Sequence, residues 1–162
     1  MQTDIWPEEG ALSPLHPKYV WVLRIRGLIA AVPFLALAVG LDFGPLRETS
    51  VPPGLVPAAV LLLALVLVAW LPGRRYRGYG YREEADELHV GAGMLFRART
   101  VVPFGRVQHI DVAHGPVERR FGLSTLILHT AGTRGAAVPL PGLPHLEAER
   151  MRDRIRAKIR QD

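Results

Sequence analysis

Two stretches without a charged residue, 27–41 and 51–71, precede residue 72, and between them lies a short connector marked by Gly44 and Pro45. A bilayer's hydrocarbon core is about 30 Å thick and a helix rises about 1.5 Å per residue, so roughly 20 apolar residues cross it. The second stretch meets that length by itself. The first does so if it begins at Val20 and carries Arg24 and Arg26 in its opening turns. Such arginines snorkel to the headgroups, and Tyr19 and Trp21 suit an interfacial aromatic belt. The pattern predicts a membrane hairpin with spans at 20–41 and 51–71, a connector at 42–50, and flanks at 1–19 and 72–162. Pro33 is expected to kink the first span, which a membrane helix tolerates.

The basic residues set the expected orientation. Lys18, Arg24 and Arg26 lie at the outer end of the first span, and Arg74, Arg75, Arg77 and Arg82 follow the second. The connector holds only Arg47, against Asp42 and Glu48. Excess Lys and Arg on both outer flanks predicts both termini in the cytoplasm of a multi-pass inner-membrane protein. Ala36-Leu37-Ala38 has the small-residue look of a signal-peptide cleavage site. The 26 residues ahead of residue 27 include Asp4, Glu8 and Glu9, unlike a basic n-region, so an uncleaved span is expected.

From residue 72 on, the chain has length for one small soluble domain, with 16 basic and 10 acidic side chains. A basic domain tethered to a membrane is drawn to anionic headgroups, by about 1 kcal/mol for each basic residue near the surface. Arg74, Arg75, Arg77, Arg97 and Arg99 are the candidate headgroup contacts. No helix-turn-helix, zinc-finger or aromatic RNA-binding motif is present, so nucleic acid is not an expected partner. The chain has no cysteine, which removes disulfides, thiolate ligands and cysteine nucleophiles and fits a reducing compartment.

The hydrophobic period changes to two after the second span. Leu88 and Val90 alternate with Glu87 and His89, and Gly91-Ala92-Gly93 reads as a hairpin turn. Phe96, Ala98, Thr100 and Val102 fall on one face of the next strand and Arg97 and Arg99 on the other, and Pro103 ends it. A strand over 107–112 slips phase between Val107 and Ile110, which predicts a bulge near Gln108 and His109. Residues 117–121 allow one helical turn closed by Gly122, and 123–131, apolar on both faces, is expected to be the most buried strand. Residues 132–135 turn, and 136–140 is a short strand confined to an edge by Pro139 and Pro141. Leu146, Met151, Ile155 and Ile159 then recur at helical spacing from 144 to 160. Glu147–Arg150, Glu149–Arg152 and Asp153–Arg156 stand three apart along that helix. Such a helix is expected to lie on the sheet, with the membrane surface as the alternative.

The run from Val102 to Val112, Val-Pro-Phe-Gly-Arg-Val-Gln-His-Ile-Asp-Val, is followed by Gly115-Pro116-Val117-Glu118-Arg119-Arg120-Phe121-Gly122-Leu123 and by His129-Thr130-Ala131-Gly132. Together these resemble the bacterial PH-like domain of YdbS-like membrane proteins. His16-Pro17, two spans, a first strand rich in tyrosine (Tyr76, Tyr79, Tyr81) and a terminal helix follow the same order. The resemblance covers residues 15–160. It implies two transmembrane α-helices followed by a mainly-β PH-like bent barrel, capped by a C-terminal α-helix and held at the cytoplasmic membrane face. It also implies a docking or scaffold module working with a partner membrane protein, in envelope stress or antimicrobial-peptide tolerance. That partner would be another PH-like-domain protein or a further copy of the chain.

Within those motifs Pro103 and Gly105 re-aim the chain between strands, and Arg106, Gln108 and Asp111 are candidates to fix the crossing by hydrogen bonds. Arg119 and Arg120 are expected to face out while Phe121 and Leu123 pack inward. Packing is the favoured role for the motif, with a ligand site as the alternative. Catalytic constellations are missing. Ser13, Ser50 and Ser124 lack a nucleophile-elbow context, and Gly78-Tyr79-Gly80 lacks the third glycine of a phosphate loop. Glu83-Glu84 and Asp86-Glu87 read as a solvated turn. His109, His114 and His129 with Asp111 form the one plausible metal cluster. Strand alternation puts His109 and Asp111 on one face and His114 on the other, and no zinc-like spacing is present. Neither a metal, a cofactor nor an enzyme activity is expected.

Overall fold

The computed structural model describes residues 12–93, 98–131 and 137–159. It divides into two compact units, one of residues 17–76 and one of 1–16 with 77–162.

The first unit is built on α1 (Tyr19–Phe43) and α2 (Leu55–Arg77). At about 1.5 Å per residue both exceed the 30 Å hydrocarbon core. Only 11% and 6% of their most apolar windows are buried, so neither is the core helix of a water-soluble fold. The α1 helix runs through Pro33. The α2 helix begins four residues later than the apolar stretch and continues through Pro72 to Arg77, past the boundary expected at 71, which puts Tyr76 on this helix rather than in a strand. Gly27 marks a close approach of the two helices: a Cβ there would stand 3.0 Å from Val68 Cγ2. At the connector a short 3-10 turn spans Pro45–Glu48. The Asp42 carboxylate accepts from Gly54 N–H at 2.9 Å, a negative charge placed at the start of α2 where the helix dipole favours it. The basic residues of the outer ends lie over aromatic rings, Arg24 4.8 Å from the Trp21 ring centre and Arg74 3.9 Å from that of Trp70. An amphipathic interface asks for that pairing.

The second unit has two antiparallel three-stranded sheets and a C-terminal helix, the PH-like arrangement. One sheet has the order β1 (Gly80–Glu83), β2 (Glu87–Ala92), β3 (Ala98–Pro103). The other has β4 (Val107–Ala113), β5 (Leu123–Thr130), β6 (Ala137–Pro144). The single-turn helix α3 (Pro116–Arg120) precedes β5, and Gly122, at φ 67°, takes the left-handed conformation that ends it. Register slips between Val107 and His109, where the phase of the sequence does. The β5 strand lies between two neighbours with Leu123, Leu126 and Leu128 fully buried, as its apolar run requires.

Gly91 and Ala92 are not a turn. They continue β2, facing Arg99 and Ala98 of β3. The reason lies in the N-terminal segment. Leu12 crosses Gly80 and Gly91 so closely that a Cβ at these positions would meet it at 2.8 and 2.6 Å. Glycine serves that approach. Phe96, Arg97 and the 132–135 turn lie outside the described residues. Ser13 exchanges two backbone hydrogen bonds with Tyr81, and His16 N–H donates to the Gly142 carbonyl. Residues 12–16 thus belong to the β unit, although they precede the first span. The β6 strand is an edge, as its prolines demand, but it extends four residues beyond the expected end at 140.

Helix α4 (His145–Ile159) buries Ala148, Met151 and Ile155 against the β unit. Leu146, expected in that stripe, points outward at 66% exposure, and Ala148 takes the buried position. Charges of α4 reach across to β1 and the residue after it, Arg154 pairing with Glu83 at 2.7 Å and Lys158 Nζ donating to the Glu84 carbonyl, while Arg152 pairs with Asp153 along the helix at 2.9 Å. Tyr81 OH donates to Glu147 at 2.9 Å. Burial, then that bond and the glutamate's charge, push the phenol up to about 12. Its stabilising contribution is therefore complete below the ordinary phenol value of about 10 and is lost as pH rises through about 12. Tyr81→Phe is expected to cost about 1 kcal/mol at neutral pH. Urea titrations should show that difference shrinking above pH 10.

Candidate functional site

The residues that carry the family-like motif gather on β4, β5 and α3. In β4, His109 and Asp111 are two apart and share a face, and His109 stands directly opposite His129 of β5. His109 Nε2 lies 2.7 Å from one oxygen of the Asp111 carboxylate and His129 Nε2 lies 3.1 Å from the other. The two rings are tilted at 45° with centres 5.8 Å apart. One carboxylate thus holds two imidazoles on an exposed sheet surface. His114 lies past the end of β4 and meets the His145 ring edge-on at 5.2 Å.

Of the other expected site residues, Arg106 and Gln108 are exposed. The main chain of Arg106 fixes the crossing, its carbonyl accepting from Ala131 N–H at 2.9 Å. Arg119 and Arg120 face outward from α3, as expected, and between them and Val117 the carboxylate of Glu118 is buried at 2% exposure. Glu118 was not legible in the sequence: a charged residue in a single helical turn gives no periodicity to read, and only its place in the first turn hints at a role. Among the candidate headgroup contacts, Arg74, Arg75, Arg77 and Arg99 are exposed, and Arg97 lies outside the described residues.

Two further polar groups matter. Ser124 is fully buried, with Oγ 2.9 Å from His145 Nδ1, and His145 Nε2 stands 3.8 Å from Glu149. A serine closed to solvent serves here to fasten the first turn of α4 to β5. At the β1–β2 turn, Glu84, Glu87 and His89 bring donor atoms within 4.8 Å of one another. Arg82 already lies 2.9 Å from Glu84 there. The turn expected to be merely solvated thus stands beside His89 of β2, whose side chain is 17% exposed.

Against known proteins, the sequence model described as the bacterial PH domain matches residues 27–159. The UPF0699 transmembrane protein YdbS of Bacillus subtilis is 33% identical over 102 residues, 63% of this chain and 62% of that protein. The UPF0699 transmembrane protein YdbT of the same organism is 28% identical over 109 residues, 67% of this chain and 22% of that protein. The matched part spans less than two thirds of either relative's length. No solved structure matches.

Proposed function

The chain belongs to the bacterial PH domain family and is a membrane protein, and from this membership we propose that it is a non-catalytic docking module on the cytoplasmic face of the inner membrane. It crosses the bilayer twice, with both termini inside. Two observations support that topology. Basic residues dominate both outer flanks. Residues 12–16, ahead of α1, hydrogen-bond to Tyr81 and Gly142, beyond α2, which favours one side of the membrane for both flanks.

The observation that carries the docking reading is β3. It is an edge strand of its sheet, and Arg99, Thr100 and Val101 are all exposed. An exposed strand edge is a template for a strand of another protein, with main-chain bonds supplying affinity and alternate side chains specificity. The partner is a second membrane protein carrying a PH-like domain, in a pathway of envelope stress or antimicrobial-peptide tolerance. A photo-crosslinking residue at Val101, activated in living cells, is expected to form an adduct with such a protein. An adduct only with further copies of the chain reduces the reading to a homo-oligomer, and none at all removes it.

A second reading, recognition of anionic headgroups, rests on Arg74 over Trp70 and the exposed Arg75 and Arg99. In nanodiscs with and without phosphatidylglycerol, it requires salt-sensitive protection of the Arg99 segment from hydrogen exchange in the anionic discs alone.

A further inference from the structure

We propose that Glu84, Glu87 and His89 form a binding site for a divalent transition-metal ion of the zinc class, with one imidazole nitrogen and two carboxylates as ligands and an outward position open to water. Hairpin register assembles the three side chains. Arg82 stands opposite His89 in the β1–β2 ladder, and two residues on, Glu84 N–H donates to the Glu87 carbonyl at 2.9 Å. Residues two apart along a strand share a face, as do residues directly opposed across an antiparallel pair, so these side chains come to one side of the hairpin. On the other side Leu88 is fully buried and Glu83 turns to Arg154 of α4. The turn is also fastened from outside: Lys158 Nζ donates to the Glu84 carbonyl at 3.1 Å and Phe104 N–H to the Asp86 carbonyl at 2.8 Å. The ligands therefore stand on backbone that is already held in place.

His89 is the pivot of the set. Its Nε2 lies 2.6 Å from Glu87 Oε1 and 3.5 Å from Glu84 Oε1, and donor atoms of all three residues fall within 4.8 Å of one another. Donor atoms around a tetrahedral zinc ion stand about 3.4 Å apart. The Glu84 contact already has that length. Glu87 has only to withdraw by about 0.8 Å, and at 36% exposure its carboxylate has room to do so. Two carboxylates face one imidazole nitrogen, which carries at most one proton to share between them. A cation at the same place serves both. Arg82 lies 2.9 Å from Glu84 Oε1, which orients that carboxylate and leaves it lone pairs for an ion. With the imidazole neutral, as ligation requires, two carboxylates against one guanidinium leave this face an excess negative charge for a divalent ion to offset. The imidazole selects zinc-like ions over magnesium and calcium, which prefer all-oxygen shells.

The exposed pair His109 and His129 on β4 and β5 provides the internal comparison, because surface histidines are where an ion would bind without a built site. The untagged full chain in detergent is titrated with Zn²⁺ by calorimetry, with and without millimolar Mg²⁺. The expected result is one saturable Zn²⁺ per chain that Mg²⁺ does not displace, together with slower amide exchange over residues 84–89 in the loaded protein. Glu87→Gln and His89→Gln are each expected to reduce affinity by about tenfold or more, and His129→Gln to leave it unchanged. Glu87 is a surface side chain, so its variant keeps the fold, and unaltered hydrogen exchange in β5 verifies this for each variant. Absence of saturable binding overturns the proposal. So does binding that survives Glu87→Gln, that Mg²⁺ displaces, or that is lost in His129→Gln.

Discussion

Truncating Leu126 to alanine is expected to destabilise the β unit by about 3–4 kcal/mol, the range of large-to-small changes at sites that cannot collapse. Leu126 has no exposed surface and sits in the middle of β5, facing Val112 of β4 and Leu140 of β6. Its neighbours along the same face, Leu128 and Ser124, are buried too, and the ladders on both sides prevent the backbone from moving in to fill the space. The measurement is amide hydrogen exchange of β5 in the detergent-solubilised protein, where opening free energies should fall by that amount. A drop below about 1 kcal/mol would mean that β5 is not the centre of the core.

Leu63→Arg is the second large effect, and its logic is reversed. Leu63 on α2 is 58% exposed, so in a water-soluble protein arginine there would be nearly neutral. In the middle of a membrane span it raises the cost of insertion by about 3 kcal/mol. The hairpin should then fail to integrate in a membrane-insertion assay, with most of the protein recovered in the alkali-extractable fraction. Leu146→Arg is the matched comparison, since Leu146 on α4 is 66% exposed and is expected to tolerate the charge. Equal behaviour of the two variants would contradict the assignment of α2 to the bilayer.

The sequence makes legible whatever depends on local pattern. The apolar runs, the phase slip at Val107–His109, the Gly122 cap and the buried β5 follow from period and residue type. The failures have one physical origin, contacts between residues far apart in the chain. Gly91 looks like a turn residue because nothing nearby reveals that Leu12 passes over it. Leu146 loses its place in the buried stripe to Ala148 because the docking angle of α4 is set by the sheet beneath it. The same holds at the candidate site. His109 and Asp111 are legible as one face of a strand, but His129 joins them only through the β4–β5 register.

The stitching of residues 12–16 onto β1 and β6 has a consequence for the integrity of the chain. A protease that cut the connector near Thr49 would produce two fragments, each keeping one membrane helix. They would remain joined by the Ser13–Tyr81 and His16–Gly142 backbone bonds, by the buried Leu15 and by the close passage of Gly27 along Val68. The severed protein should therefore migrate as one particle under mild detergent and come apart only when denatured, behaving as a complemented pair of halves.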